Sequence, residues 1–437
     1  MEALLSALIV LLLILLFLGS GVWVFVGLLL VSTTGLLLVL DFPPQRVGVV
    51  LSKILVRSAS SWELAAIPLF IWMGEMIFRT DISMRLFRGL SPFVAHIPGG
   101  LIHTNVAGST LFAAVSGSSA ATTATVGKIT TVELRERGYA EGLSLGSLAG
   151  AGSLGLLIPP SIVMIIYGVL AEVSISRLFA AGVVPGLLVA GLYSLYIAVR
   201  CAANPDLAPK QTGALQSKAR GLLDLLPILC LIAVVLGAIY SGLATPSEAA
   251  AVGVFGTLIA VSLLGQMNWA LIRDSLMGAV RASAMVCTIL VAAAFLSTAM
   301  GYMHVPQDVA KVIAAANIGP YGLIAVLAVF YIVLGLFLDG ISIVVMSLPI
   351  TLPPVIAMGF DPIWFGVFVV LMVELGQMTP PVGFNLFVLQ GITGVPIGRV
   401  ARAAIPFFFL MLLAVVIVVL EPRLVLWLPD TLFGVAK

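Results

Sequence analysis

Charge is scarce in this sequence: only 9% of its 437 residues are Asp, Glu, Lys or Arg, against roughly 25% in an ordinary soluble domain. With 61% hydrophobic residues and a mean hydropathy of +1.22, the chain reads as a polytopic membrane protein. The formal net charge of +2 excludes a nucleic-acid partner. Cysteine is equally rare. Cys201, Cys230 and Cys287 are odd in number and two lie in apolar runs, which supports neither a disulfide framework nor a metal cluster. No G-x-x-x-x-G-K-[ST] occurs, because Gly127-Lys128 lacks the first glycine, and no H-E-x-x-H occurs. The chain therefore has no nucleotide motor of its own, and work done by it must draw on a gradient or another subunit. The N-terminal apolar run has only Glu2 before Leu4 and no basic n-region, so it reads as a retained span rather than a signal peptide.

Glycine and proline stand where an apolar helix should be continuous, and they do so twice. Pro159-Pro160 and Pro380-Pro381 are 221 residues apart (380 − 159), about half the chain. Gly138 and Gly359, Gly155 and Gly376, and Pro185 and Pro406 keep the same spacing, while Ser116-Gly117-Ser118-Ser119 aligns with Asp339-Gly340-Ile341-Ser342 at an offset of 223. Apolar stretches run from 4–18 to 403–427, several too short or too interrupted to cross alone. The expectation is roughly 10–12 spans plus two re-entrant hairpins. Duplicated broken helices in an apolar chain mark the binding site of a secondary transporter.

The polar reversals at Ser116–Ser119 and at Asp339-Gly340 are tolerated at membrane depth only when buried in protein or lining a cavity. Their hydroxyls, carboxylate and freed carbonyls offer oxygen, the ligand a hard cation such as sodium prefers. At each Pro-Pro, carbonyls are freed before the break and a new half-helix begins with unpaired N–H groups and a positive dipole end. One break thus supplies a cation site and an anion site. The candidate sodium ligands are Ser116, Ser118, Ser119, Gly155, Asp339, Gly340, Gly376 and Thr379; the candidate substrate contacts are Ser161, Gly383, Asn385 and Arg281. Glu374 and Glu75 also interrupt apolar runs and are functional candidates. For Glu75 and Arg281, a helix-packing or snorkelling role is the better reading.

The polar stretch Arg200–Arg220 divides the chain into similar halves. Thr245-Pro246-Ser247-Glu248 predicts a capping box at the start of a helix, followed by small residues suited to close packing. Asn268–Ala284 reads as a segment along the membrane surface before the next span, and Trp23, Trp62, Trp269, Trp364 and Trp427 read as interface anchors.

Several phrases together resemble the large membrane subunit of the tripartite ATP-independent periplasmic (TRAP) transporters. They are Ala66-Ile-Pro68-Leu-Phe-Ile, Pro98-Gly-Gly100-Leu, Ser116-Gly-Ser-Ser119-Ala-Ala, Ile158-Pro-Pro160-Ser161, Ala244-Thr-Pro-Ser-Glu248-Ala-Ala-Ala-Val-Gly253 and Glu374-Leu-Gly376-Gln-Met-Thr379-Pro-Pro-Val-Gly383-Phe-Asn385. The resemblance implies an all-α, inverted-repeat elevator fold with two re-entrant hairpins and two broken helices. It implies sodium-driven import of an organic anion, usually a carboxylate such as a C4-dicarboxylate or a sugar acid, across a bacterial or archaeal cytoplasmic membrane. It also implies a small four-helix membrane subunit and a periplasmic substrate-binding protein as partners, in a lipid setting. Gln377-Met378 departs from the apolar residues the family often has there. On this reading 1–100 holds scaffold and arm helices. Residues 101–170 and 320–395 form a transport domain, 171–283 hold scaffold helices with an arm at 268–283, 284–319 connect, and 396–437 return to the scaffold. Two alternatives differ in class. One is a stand-alone sodium–carboxylate symporter. The other is an intramembrane serine protease using Ser116 with His103 or His304, which leaves the second copy of the motif unexplained.

Overall fold

A computed structural model describes residues 21–209, 216–315, 318–380 and 383–434, with five further positions between 9 and 17. Pro381, in the second Pro-Pro pair, lies outside the described residues, as does its neighbour Val382. Every described element is helical. In chain order they are α1 Val24–Leu38, α2 Pro44–Ala59, α3 Ala66–Phe78, α4 Ile82–Val94, α5 His103–Ser116, α6 Ser119–Glu136, α7 Glu141–Gly152, α8 Ile162–Leu170, α9 Ile175–Ala203 and α10 Lys218–Tyr240. There follow α11 Pro246–Leu263, α12 Trp269–Tyr302, α13 Val305–Ala315, α14 Pro320–Gly335, α15 Gly340–Ala357, α16 Pro362–Gln377, α17 Phe384–Thr393, α18 Ile397–Leu420 and α19 Arg423–Phe433.

Six of these (α9, α10, α11, α12, α15 and α18) are long and apolar enough to cross a membrane, and α2 with the segment Trp62–Phe78 makes a seventh, bent by 56°. Val24–Leu38, Pro320–Gly335, Pro362–Gln377 and Phe384–Thr393 are apolar but shorter, and most of the first apolar run lies outside the described residues. At the two breaks, α7 with α8 and α16 with α17 each divide one apolar run into two half-length helices.

Gly117 ends α5 in a left-handed conformation (φ 59°), and Ser118 caps α6. The two helices return antiparallel, since a Cβ on Gly108 would meet Val126 of α6. The second hairpin turns at Asp339, with Tyr331 of α14 bonded to Ser347 and Thr351 of α15 at 3.2 and 3.0 Å.

Around the hairpins stand longer helices. The capping box forms as predicted: Thr245 and Glu248 exchange bonds, and the small face of α11 buries Ala249 and Ala250 while Gly253 lets α3 approach through Met73. Helices α4 and α10 touch at Gly89 and Gly221, where a Cβ on either would stand 2.8 Å from the other's carbonyl oxygen. Glu75, bonded to Arg79 at 3.0 Å, clamps α3 against Gly278 of α12, the packing role expected of it.

Two expectations change. Residues 269–302 form one unbroken helix of 34 residues rather than a surface segment followed by a span. No proline interrupts it, and at 1.5 Å per residue it is about 51 Å long. Trp364 is no interface anchor. It is 1% exposed, stacked between Phe360 and Phe368, and its indole donates to the Val418 carbonyl at 3.1 Å. Trp23, Trp62, Trp269 and Trp427 are exposed, as such anchors are.

Candidate functional site

The first tip sits directly on the first break. Gly155, which follows α7, lies so close to the tip that a Cβ there would stand 2.5 Å from Ser119 Cα. Gly117 approaches the Pro160 carbonyl, and the Ile162 N–H that opens α8 donates to the Gly117 carbonyl at 3.4 Å. Only glycine fits at the two positions, because the left-handed turn and the backbone contact each exclude a side chain. The Pro159–Pro160 peptide is cis. Ser161, fully buried, caps α8 by accepting from Met164 N–H at 3.3 Å.

The second tip meets the second broken helix along its upstream half. Gly335 and Gly376 pack backbone to backbone, a Cβ on the first standing 2.5 Å from Cα of the second. A Cβ on Gly340 would meet Val373, Gln377 and Leu156. Asp339 is exposed and caps α15, accepting from the N–H groups of Ile341 and Ser342 at 3.1 and 3.3 Å and from the Ser342 hydroxyl. Thr379 is half-buried, and its hydroxyl is turned back onto the Leu375 carbonyl at 2.7 Å.

Glu374 joins the halves. It is fully buried on α16, yet its Oε1 accepts from the Ser119 hydroxyl at the first tip and from Leu156 N–H, at 2.9 Å, in the first break. Its Oε2 has no partner. A carboxyl group of the second repeat is thus bonded to both the first tip and the first break. The sequence marked Glu374 as ionisable in an apolar run but gave no sign that its partners lie in the other half.

The two half-helices downstream of the breaks differ. Gly383 gives α17 no side-chain cap, and Leu386 N–H turns back to the Gly383 carbonyl at 2.9 Å, whereas in α8 the Met164 N–H is met by the Ser161 hydroxyl. Asn385, in the first turn of α17, is fully buried with both side-chain polar atoms unpartnered. An anionic group seated there would meet N–H donors, a positive dipole end and an amide. Ser116, Ser118, Ser119 and Gly155 come together at one site, and Asp339, Gly340, Gly376 and Thr379 lie along the other. Ser161, Gly383 and Asn385 stand at the starts of the half-helices. Arg281 is not brought to them: it is exposed on α12 and forms no ion pair or hydrogen bond among the described residues. Polar hydroxyls opposite glycines, such as Thr123 against Gly152, also join the first site and carried no sequence signal beyond composition.

Among the described residues no protease geometry is present. The Ser116 hydroxyl bonds Thr122 at 2.9 Å, while His103 Nε2 bonds the Pro98 carbonyl at the opposite end of the 14-residue α5. His304 is exposed between α12 and α13.

Paired tips and paired breaks around a buried polar centre define a membrane transporter subunit, and comparison with known proteins gives its family. Residues 9–424 match the family model described as the tripartite ATP-independent periplasmic transporter, DctM component. The chain belongs to this family of TRAP large permeases, and is a multi-pass inner-membrane transport subunit rather than an enzyme. It is 34% identical to the C4-dicarboxylate TRAP transporter large permease protein DctM of Pseudomonas aeruginosa, over 91% of this chain and 93% of that one. It is 32% identical to the ectoine/5-hydroxyectoine TRAP transporter large permease protein UehC of Ruegeria pomeroyi, over 87% and 88%. The isethionate TRAP transporter permease protein DctMQ of Oleidesulfovibrio alaskensis is 31% identical, covering 94% of this chain but 64% of its own length. The fold resembles that in the crystal structure of the Alcanivorax borkumensis YdaH transporter, with a TM-score of 0.62, 14% identity and coverage of 83% and 85%.

Proposed function

We propose that this subunit imports an organic anion together with sodium, accepting the anion from a periplasmic binding protein and working beside a small four-helix membrane subunit. The observation that carries the reading is the crossed centre. Two oxygen-bearing tips are seated on two broken helices, one half-helix N-terminus without a side-chain cap lies beside an unpartnered Asn385, and Glu374 draws both repeats into one unit. Sodium fits the donor set of hydroxyl, carboxylate and freed carbonyl oxygens at Ser116, Ser118, Ser119 and Gly155, and at Asp339, Gly340, Gly376 and Thr379. The names of relatives span C4-dicarboxylate, ectoine and isethionate, and a C4-dicarboxylate or other carboxylate is the first substrate to try here. The DctMQ relative, longer than this chain by about a third of its own length, supports a second membrane component.

The same contacts support a mode of movement. The two hairpins with their broken helices travel as one body against the helices of 1–100, 171–283 and 396–437, because parting the tips would strand Ser119, Leu156 N–H and Glu374 in a dry site at several kcal/mol. Uptake into vesicles containing the complete transporter tests the coupling: a sodium gradient drives it and a potassium gradient does not. Undiminished uptake without sodium rejects the proposal. Spin labels at Ser118 and Phe384 keep their distance between outward and inward states, while a pair at Ser118 and Val252 changes by many ångströms. The reverse pattern would leave local gating instead.

A further inference from the structure

One polar side chain at the second break is buried without a partner. Gln377 closes α16 and is 5% exposed, yet its carboxamide forms no hydrogen bond among the described residues. Leaving a buried polar group unmet costs about 1–3 kcal/mol, so the position calls for an explanation. The repeat supplies a contrast. Gln377 lies 221 residues after Leu156 (377 − 156), the spacing of the two Pro-Pro pairs, so the two are equivalent residues. Both flank the second tip: a Cβ on Gly340 would stand 2.8 Å from the Gln377 carboxamide and 3.2 Å from a Leu156 methyl. The first break thus has an apolar side chain where the second has an amide, and its own carboxyl oxygen comes from Glu374, bonded to the Leu156 N–H.

The polar groups beside Gln377 are acceptors. Pro380 and Pro381 carry no N–H, so the carbonyls of Gly376 and Gln377 lose the donors that a continuing helix would supply. Gly376 is met instead by Thr379 N–H at 3.0 Å. The Gln377 carbonyl is met by no donor among the described residues, and it faces Gly383, where a Cβ would stand 2.7 Å from it. Asp339, adjoining Gly340, forms no ion pair among the described residues. Carboxylate, freed carbonyl and carboxamide oxygens are the set that a hard cation takes, side-chain amides of glutamine included. An organic anion placed here would face the Asp339 carboxylate and a bare carbonyl, which repel it.

We propose that Gln377 is a cation-ligating residue of the second tip, its side-chain oxygen joining Asp339, Gly340, Gly376 and Thr379 in holding sodium and setting how tightly that site binds. The assignment rests on the reading of the tips as sodium sites. Its test follows the thermal unfolding midpoint of the purified complete transporter as sodium chloride replaces choline chloride at constant ionic strength. Gln377→Leu, which copies the first repeat, and Gln377→Met, which keeps the length, both remove the oxygen, whereas Gln377→Glu retains one. Without sodium, the two apolar variants are expected to unfold at or above the parent's midpoint, because each removes an unmet buried amide. Both are expected to need about tenfold or more sodium for half of the stabilisation, while the Glu variant stays within about threefold of the parent. A glutamine that only packs gives the opposite pattern, with lower midpoints in choline and an unchanged sodium response. That result overturns the assignment and leaves the tips as sodium sites. If sodium stabilises neither the parent nor any variant, the sodium reading of the tips falls, and this assignment with it.

Discussion

The two repeats present the same parts in unequal condition. The first tip carries neutral hydroxyls, is buried, and takes its carboxylate from the other half of the chain through Glu374. The second tip has a carboxylate of its own, Asp339, which is exposed and already engaged in capping α15. Downstream, the first half-helix is capped by Ser161 while the second opens at Gly383 beside an unsatisfied Asn385. Duplication has thus yielded one closed, cross-braced site and one accessible site. The accessible one suits a ligand that must come and go, and the braced one suits an element that holds the moving body together.

Substitutions at the brace should break this comparison most sharply. Glu374→Leu leaves the Ser119 hydroxyl and Leu156 N–H without an acceptor in a dry setting. It should cost about 2–5 kcal/mol and abolish uptake, read as a fall in the thermal unfolding midpoint of purified protein. Glu374→Gln, which keeps an acceptor, should fall between that variant and the parent. Equal stability of parent and Leu variant would remove the brace from the account.

Next come the glycine contacts. Gly155→Ala and Gly335→Ala each drive a Cβ to 2.5 Å from backbone, and should each cost about 1–3 kcal/mol with a matching loss of uptake. If only Gly155→Ala is damaging, the second tip is looser than its packing indicates. Asp339→Asn is milder in stability, because asparagine is also a good helix cap. It should nevertheless raise the sodium concentration needed for half-maximal uptake, since it removes the charge at the accessible tip. Thr379→Ala should be the gentlest: its hydroxyl is bound to the Leu375 carbonyl, so stability should move by about 1 kcal/mol or less, with a small change in sodium dependence in the same assay.

Much of the architecture is legible in the sequence because glycine and proline act locally. Gly117 and Pro159-Pro160 announce a reversal and a break wherever they occur in an apolar run, and Thr245 with Glu248 carries its capping box within four residues. Readings that depend on what lies opposite fared worse. Trp364 falls near the start of an apolar run like an anchor, yet tertiary packing stacks it in the core. Arg281 is ionisable in an apolar run, yet it is exposed on α12, and the segment expected along the surface before it is continuous with that helix. Glu374 was visible as a misplaced charge, but nothing near it in sequence names Ser119 or Leu156.

That last pairing bears on synthesis. Glu374 lies 255 residues after Ser119. At about 5–20 residues per second, the ribosome needs roughly 10–50 s to travel between them. Through that interval the first hairpin and its break are already in the membrane with their donors unmet. The N-terminal half is therefore a waiting partner rather than a finished module, and final closure of its site belongs to the last third of translation.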